Sequence, residues 1–257
     1  CDVVKKMQPT GLLIFFLPDY QCAILELDNI FRGVHNHIQS ITSLQQSFIM
    51  KAKFLSANSK YHFAWWDTQE VSAGTTRNHD ANRPRQPFTI VPFEGKALSI
   101  NDLFSISSND TMHFAWYLEP DSKKFDSAAS YLWVCAGPST ALGAKRNWYP
   151  SVLPREARRD NLLFITSNNK AHFAWYQKGD ALWVGKGSSD NLAKEKAVRC
   201  ELPPNVKVGF ILFMATDDKK HFAFLKNGTY LTGSSRKLEH VPPAIYDLEE
   251  VLEISRC

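Results

Sequence analysis

The tetrapeptide His-Phe-Ala-Trp, or a close variant of it, occurs four times in this chain. It reads HFAWW from His62 to Trp66, HFAWY from His113 to Tyr117, HFAWY from His172 to Tyr176 and HFAFL from His221 to Leu225. An imidazole can ligate a metal, move a proton or hold a neutral hydrogen bond. The adjoining rings can fill a core or offer a flat face to a ligand rich in C–H groups. A single metal centre built from the four histidines is not expected. Equivalent positions in successive repeats stand around a ring, and a Zn–N bond is only about 2 Å long. His35 and His37, in the sequence HNH, read as a solvated loop. The exchange of His for Gln21 in a fifth, degenerate copy (QCAIL, Gln21 to Leu25) favours the hydrogen-bonding role. Both side chains donate and accept, so a polar clamp tolerates that exchange, whereas a catalytic base does not.

The copies share a wider grammar. A glycine follows 12 positions after Gln21, His62 and His221 (Gly33, Gly74 and Gly233), 13 after His172 (Gly185) and 24 after His113 (Gly137). The long spacing is the same unit with an insertion after Tyr117 (EPDSKKFDSAAS). Repetition at a period of about 40–60 residues points to a propeller, solenoid or array. The last copy shows the unit most plainly. GFILFMA is an apolar run of strand length, Asp217-Asp218 is a turn, HFAFLK is a second strand, and TYLTG follows the hairpin signal Asn227-Gly228. That dipeptide suits a type I′ turn. Pro18-Asp19, Asn58-Ser59, Asn109-Asp110 and Asn168-Asn169 supply the equivalent turns, and FTIVPF (88–93) and KAVRCEL (196–202) read as fourth strands.

The expected fold is therefore all-β: a five-bladed β-propeller of four-stranded antiparallel blades, closed by its N- and C-terminal strands. The repeats span about 11–44, 48–95, 98–154, 161–203 and 206–241, and residues 1–8 and 249–257 serve as closing strands in a single domain. In each second strand Phe and Trp share one face, while His, Ala and Tyr share the other. Ala permits close packing of sheets, and Phe with Trp fills the gap between blades.

Composition agrees. The chain has 257 residues, of which 44% are hydrophobic and 12% aromatic, enough for a sizeable core. A net charge of +4 is too mild to imply nucleic acid, and Arg155, Arg158 and Arg159 read as one solvated loop. The longest apolar run, GLLIFFL from Gly11 to Leu17, falls short of the ~20 residues that cross a bilayer. Three signals favour an extracellular protein. The chain opens on Cys1, Asn109-Asp-Thr and Asn227-Gly-Thr are glycosylation acceptors at hairpin tips, and five cysteines occur without a CxxC pair. Cys1–Cys257 would lock the seam of a closed ring, Cys135–Cys200 would form a second bridge, and Cys22 reads as a buried thiol.

A small, secreted, five-repeat propeller with aromatic-rich blades resembles the tachylectin-2-type and fungal propeller lectins. The resemblance is one of architecture and carries over no binding residues by position. It implies multivalent glycan binding, without catalysis and without a cofactor. The candidate contacts from the repeats are His62, Trp66, His113, Tyr117, Trp133, His172, Tyr176, Trp183 and His221. One alternative is a secreted protein-interaction module, such as a pathogen effector or inhibitor. The enzymatic alternative is a five-bladed glycoside hydrolase, which needs paired carboxylates around the axis. Asp102 and Asp160 are its candidates, although both precede first strands, where turn or cap chemistry explains them.

Overall fold

The computed structural model describes residues 12–16, 22–26, 52–74, 84–119 and 131–241. The chain divides into two compact units, residues 1–49 with 256–257 and residues 50–255. Of the first unit the structure describes one antiparallel hairpin, β1 (Leu12–Phe16) with β2 (Cys22–Glu26). The expected blade of repeat one is thus represented by two strands, and the expected closing strands and Cys1–Cys257 lie outside the described residues.

The second unit holds four blades, numbered here by repeat. Blade II is β3 (Ala52–Ala57), β4 (His62–Trp66), β5 (Glu70–Gly74) and β6 (Arg85–Pro87). β7 (Thr89–Ile90) follows it as a separate short strand. Blade III is β8 (Ser105–Ser108), β9 (His113–Tyr117), β10 (Tyr131–Gly137) and β12 (Arg146–Val152), with the short β11 (Ala141–Leu142) between the last two. Blade IV is β13 (Leu162–Ser167), β14 (His172–Lys178), β15 (Ala181–Ser188) and β16 (Asn191–Cys200). Blade V is β17 (Ile211–Thr216), β18 (His221–Leu225), β19 (Tyr230–Ser234) and β20 (Lys237–His240). The inner strands pack in a cycle: β3 on β8, β8 on β13, β13 on β17 and β17 back on β3. Among the described residues four blades close into a propeller ring; the fifth blade expected, repeat one, is described only as β1 and β2.

The sequence dictates this packing through strand alternation. The Phe and Trp face of one blade meets the Ala and Tyr face of the next, so the apolar interior is four wedges. Phe63 and Trp65 pack with Ala115 and Tyr117, and Phe114 and Trp116 with Ala174 and Tyr176. Phe173 and Trp175 pack with Ala223 and Leu225, while Phe222 and Phe224 pack with Ala64 and Trp66. Trp65, Trp116 and Trp175 are wholly buried.

The recurrent glycine has a specific task. Gly74, Gly137, Gly187 and Gly233 lie opposite the four histidines across the second and third strands. In blade IV the partner of His172 is Gly187, while Gly185 pairs with Ala174, which corrects the sequence register. A Cβ at Gly137, Gly187 or Gly233 would lie 2.1, 1.8 or 2.1 Å from the carbonyl oxygen of Ala141, Asn191 or Lys237. The hairpin that bends back over each glycine is then stitched to the preceding blade. Thr89, Val152 and Glu201 donate backbone N–H groups to the carbonyls of Thr140, Asp190 and Arg236. Thr89–Ile90, expected within a fourth strand, belongs to this stitch and pairs in parallel with β11.

Two smaller expectations change. Asn227 has no positive φ, while Gly228 has φ 81°, so the blade V hairpin is a type I turn followed by a left-handed glycine. Leu225 accepts from Gly228 N–H and donates to the carbonyl of Thr229, as that longer loop requires. Cys135 and Cys200 are free thiols, not a bridge. They belong to different wedges, and burial pushes both up to about 12.

Gly187→Ala is expected to cost about 1–3 kcal/mol of stability, as overpacking does. Gly209→Ala, with nothing within 4 Å of the new methyl, is the neutral control. Thermal melts that find the two variants equal would remove the steric role of the glycine column.

Candidate functional site

Each described turn into a second strand is built by one side chain. Oδ1 of Asn58, Asn109, Asn168 and Asp217 accepts from the backbone N–H groups two and three residues on. Asx turns of this kind place the following histidine at the seam.

There the imidazole edge meets the ring of the preceding blade. His113, His172 and His221 lie with centroids 4.6, 4.5 and 4.7 Å from Phe63, Phe114 and Phe173, near perpendicular. His62 closes the cycle on Phe222 at 5.6 Å. A line of hydroxyls runs beside three of these contacts. Trp65 Nε1 donates to Ser56 Oγ at 2.9 Å, Ser56 and Ser108 hydroxyls are 2.6 Å apart, and Ser108 reaches His113 Nδ1 at 2.7 Å. Trp116, Ser107, Ser167 and His172 repeat the line at 2.8, 2.5 and 2.6 Å. Trp175, Thr166, Thr216 and His221 repeat it at 2.9, 2.6 and 2.8 Å. The indole can only donate, so a polarity from indole to imidazole satisfies the first two lines, whereas in the third Thr216 donates to Thr166, which also takes the indole N–H, and His221 Nδ1–H donates to Thr216. At the fourth seam Ala215 and Ala57 replace both hydroxyls, and Phe224 replaces the indole. No indole N–H is left wanting an acceptor there.

Burial pushes the imidazoles of His113, His172 and His221 down to about 4. They are neutral structural groups that reach the neighbouring blade through a hydroxyl, where a direct bond to neighbouring backbone or loop was expected. Three of the six other expected ligand contacts are also interior. Trp66, Tyr117 and Tyr176 are buried. The Tyr176 hydroxyl finds no hydrogen-bond partner among the described residues, and burial, then Glu156, raises it to about 12. His62, Trp133 and Trp183 are half-buried. Trp133 packs on Phe93 at 5.0 Å, and Lys178 Nζ lies 5.0 Å above the Trp183 ring. Asn109 is half-buried with its oxygen committed to the turn, whereas Asn227 is exposed at a hairpin tip.

The axis itself is shut. Leu55–Ala57, Ile106–Ser108, Ile165–Ser167 and Met214–Thr216 line it and leave ≈ 0 Å³ for a water molecule. Around the turns at one end, Asp110 accepts from the backbone N–H and hydroxyl of Ser59 and from Asn169 Nδ2, which also donates to Asp218. The Ser59 hydroxyl, then Asn169, holds the Asp110 carboxyl below its ordinary range, against burial. Asp102 caps the Ser99 N–H and hydroxyl, and Asp160 is an exposed turn residue. Cap and turn chemistry thus accounts for both residues.

One seam opens to solvent. Between blades IV and V lies a cavity of ≈ 250 Å³ bounded by Asn168, Lys170, Phe173, Lys186, residues 217–221, Ser234 and Ser235. Two departures from the repeat border it. Opposite the wedge phenylalanine on the third strand stand Ala73, Ala136, Lys186 and Thr232 in blades II to V. Before the histidine stand Tyr61, Met112, Ala171 and Lys220. Sequence reasoning missed both lysines. Lys220 is visible once the histidines are aligned, whereas Lys186 needs the register set by Gly187.

No family model and no curated protein matches the chain. Among solved structures it is similar to YCF48 from Cyanidioschyzon merolae, with 14% identity over 77% of this chain and 61% of that one at TM-score 0.33. It is also similar to Prp20p from Saccharomyces cerevisiae, with 13% identity over 71% and 43% at TM-score 0.31. The computationally designed Ika8 protein shares 7% identity over 73% and 46% at TM-score 0.30. The chain spans less than two thirds of the length of each.

Two predictions test the seams. The depressed histidines stay neutral in the fold but take a proton near pH 6.5 when unfolded, so stability is full above about 6.5 and falls as pH drops toward 4. Thermal melts at pH 7.5 and 5 and constant ionic strength should show a lower melting temperature at pH 5; equal values count against buried neutral imidazoles. Ser167→Ala should cost about 1–3 kcal/mol by stranding its partners. The triple variant Trp116→Phe, Ser107→Ala and Ser167→Ala copies the fourth seam and should lose less than the sum of its single changes; strict additivity would break the coupling.

Proposed function

We propose that this protein is a non-catalytic binding module that takes a glycan at the seam between blades IV and V. The observation that carries this reading is the cavity at that seam. Its lining sets Phe173 beside the hydroxyls of Ser234 and Ser235 and the side chains of Lys186 and Lys220. Apolar C–H contact beside convergent hydrogen-bonding groups suits a sugar. At ≈ 250 Å³ the cavity is small beside ligand pockets of about 300–1,000 Å³, and it fits one sugar residue. The reading as non-catalytic draws on the described carboxylates, because Asp102 is spent on a cap and Asp110 is kept ionised. The reading as extracellular draws on the acceptor sequence at the exposed Asn227.

Labelled protein on a glycan array should show saturable binding to one glycan class. Ser235→Trp, which fills the cavity from its rim, should abolish that binding without lowering the melting temperature. Silence across the array would defeat the glycan reading and transfer it to a protein partner.

A further inference from the structure

We propose that the seam between blades IV and V selects glycans bearing a tetrahedral oxyanion ester, a sulfate or a phosphate. This inference rests on the glycan reading above. Four ammonium-bearing side chains, Lys170, Lys186, Lys219 and Lys220, border the cavity, and no arginine does. Lysine is a compact point charge with three donors that rotate freely, whereas the arginine fork matches carboxylate and phosphate alike. Several such ammonium groups beside the hydroxyls of Ser234 and Ser235 can reach all three terminal oxygens of a tetrahedral ester, one more than the two of a uronic or sialic acid.

Two carboxylates, Asp217 and Asp218, also line the cavity, and both accept hydrogen bonds from the turns. Asp217 Oδ1 accepts the backbone N–H groups of Lys219 and Lys220 at 2.7 and 2.6 Å. Asp218 accepts from Asn169 N at 3.0 Å and Asn169 Nδ2 at 2.6 Å. Glu195 holds Lys186 Nζ at 2.9 Å, but both side chains are about half exposed, at 42% and 57%. An exposed pair of that kind is weak, and an incoming anion competes for the same ammonium. Lysine appears in this seam at both positions where the seams between blades II and III and between III and IV carry apolar residues. Ala73 and Met112 stand at the first, Ala136 and Ala171 at the second. Two lysines that depart from the repeat, Lys186 and Lys220, thus fall in the same described seam and mark it as a specialised site.

The test is titration calorimetry on the full chain with matched oligosaccharides: sulfated, phosphorylated, carboxylated and neutral. The sulfated or the phosphorylated member should bind about tenfold or more tightly than the carboxylated and neutral ones, and which of the two leads identifies the ester. The double variant Lys186→Ala and Lys220→Met restores the residues of the other seams and should lose that advantage, with its melting temperature retained. Lys145→Ala, an exposed lysine of blade III, should change nothing. Equal binding of charged and neutral sugars would overturn the inference and leave the glycan reading intact. Binding of none of the four would overturn both. An equal loss on Lys145→Ala would mark general attraction of polyanions and overturn the site.

Discussion

The contact on which this ring depends is the edge of an imidazole driven into the aromatic wedge of the blade before it. Phe63, Phe114 and Phe173 receive His113, His172 and His221 almost perpendicularly at 4.5–4.7 Å, and Phe222 receives His62 at 5.6 Å. A buried imidazole needs a partner for its nitrogen, and the hydroxyl before the Asx turn supplies one at three of the four seams. That hydroxyl bonds a second one on the preceding blade, which takes the indole N–H of that blade's tryptophan. Apolar fill and polar satisfaction are thus arranged by the same two strands, and each blade can settle only against its neighbour.

The seam that closes the cycle obeys the same rule by omission. Phe224, Ala215 and Ala57 replace an indole, a hydroxyl and a hydroxyl together, because any one of them alone would strand a buried partner. His62 is also less buried than the other three histidines. The closing seam is held by apolar packing of Phe222, Phe224 and Tyr230 against Ala64 and Trp66.

A frame that spends its recurrent residues on closure leaves function to the residues that break the repeat. The histidines, the tryptophans of the motif and the hydroxyls are interior, and the axis is filled. Lys186 and Lys220 depart from small or apolar residues in the neighbouring blades, and a seam cavity with room for a ligand lies beside them. The glycine column makes such departures tolerable. Its close approach to Ala141, Asn191 and Lys237 fixes the hairpin at the rim of each blade independently of what lines the seam.

Much of the four-stranded blade was legible in the chain itself. Alternation in HFAW assigns Phe and Trp to one face and Ala and Tyr to the other, the Asn and Asp residues before each motif mark the turns, and the exchange of His for Gln21 points to a hydrogen-bonding role. These are local properties of a strand and its turn, and the described blades bear them out. The number of blades in the ring was not local. It depends on which inner strand the last blade meets, and β17 meets β3. Nor was the thiol pairing, since Cys135 and Cys200 belong to wedges that sequence distance does not separate. The partner of His172 required the observed register, because Gly185 and Gly187 are both plausible by spacing, and only the carbonyl of Asn191 decides between them. The candidate site followed from that register: Lys186 faces a seam only when Gly187 lies opposite His172, and a cavity between two blades exists only once both are in place.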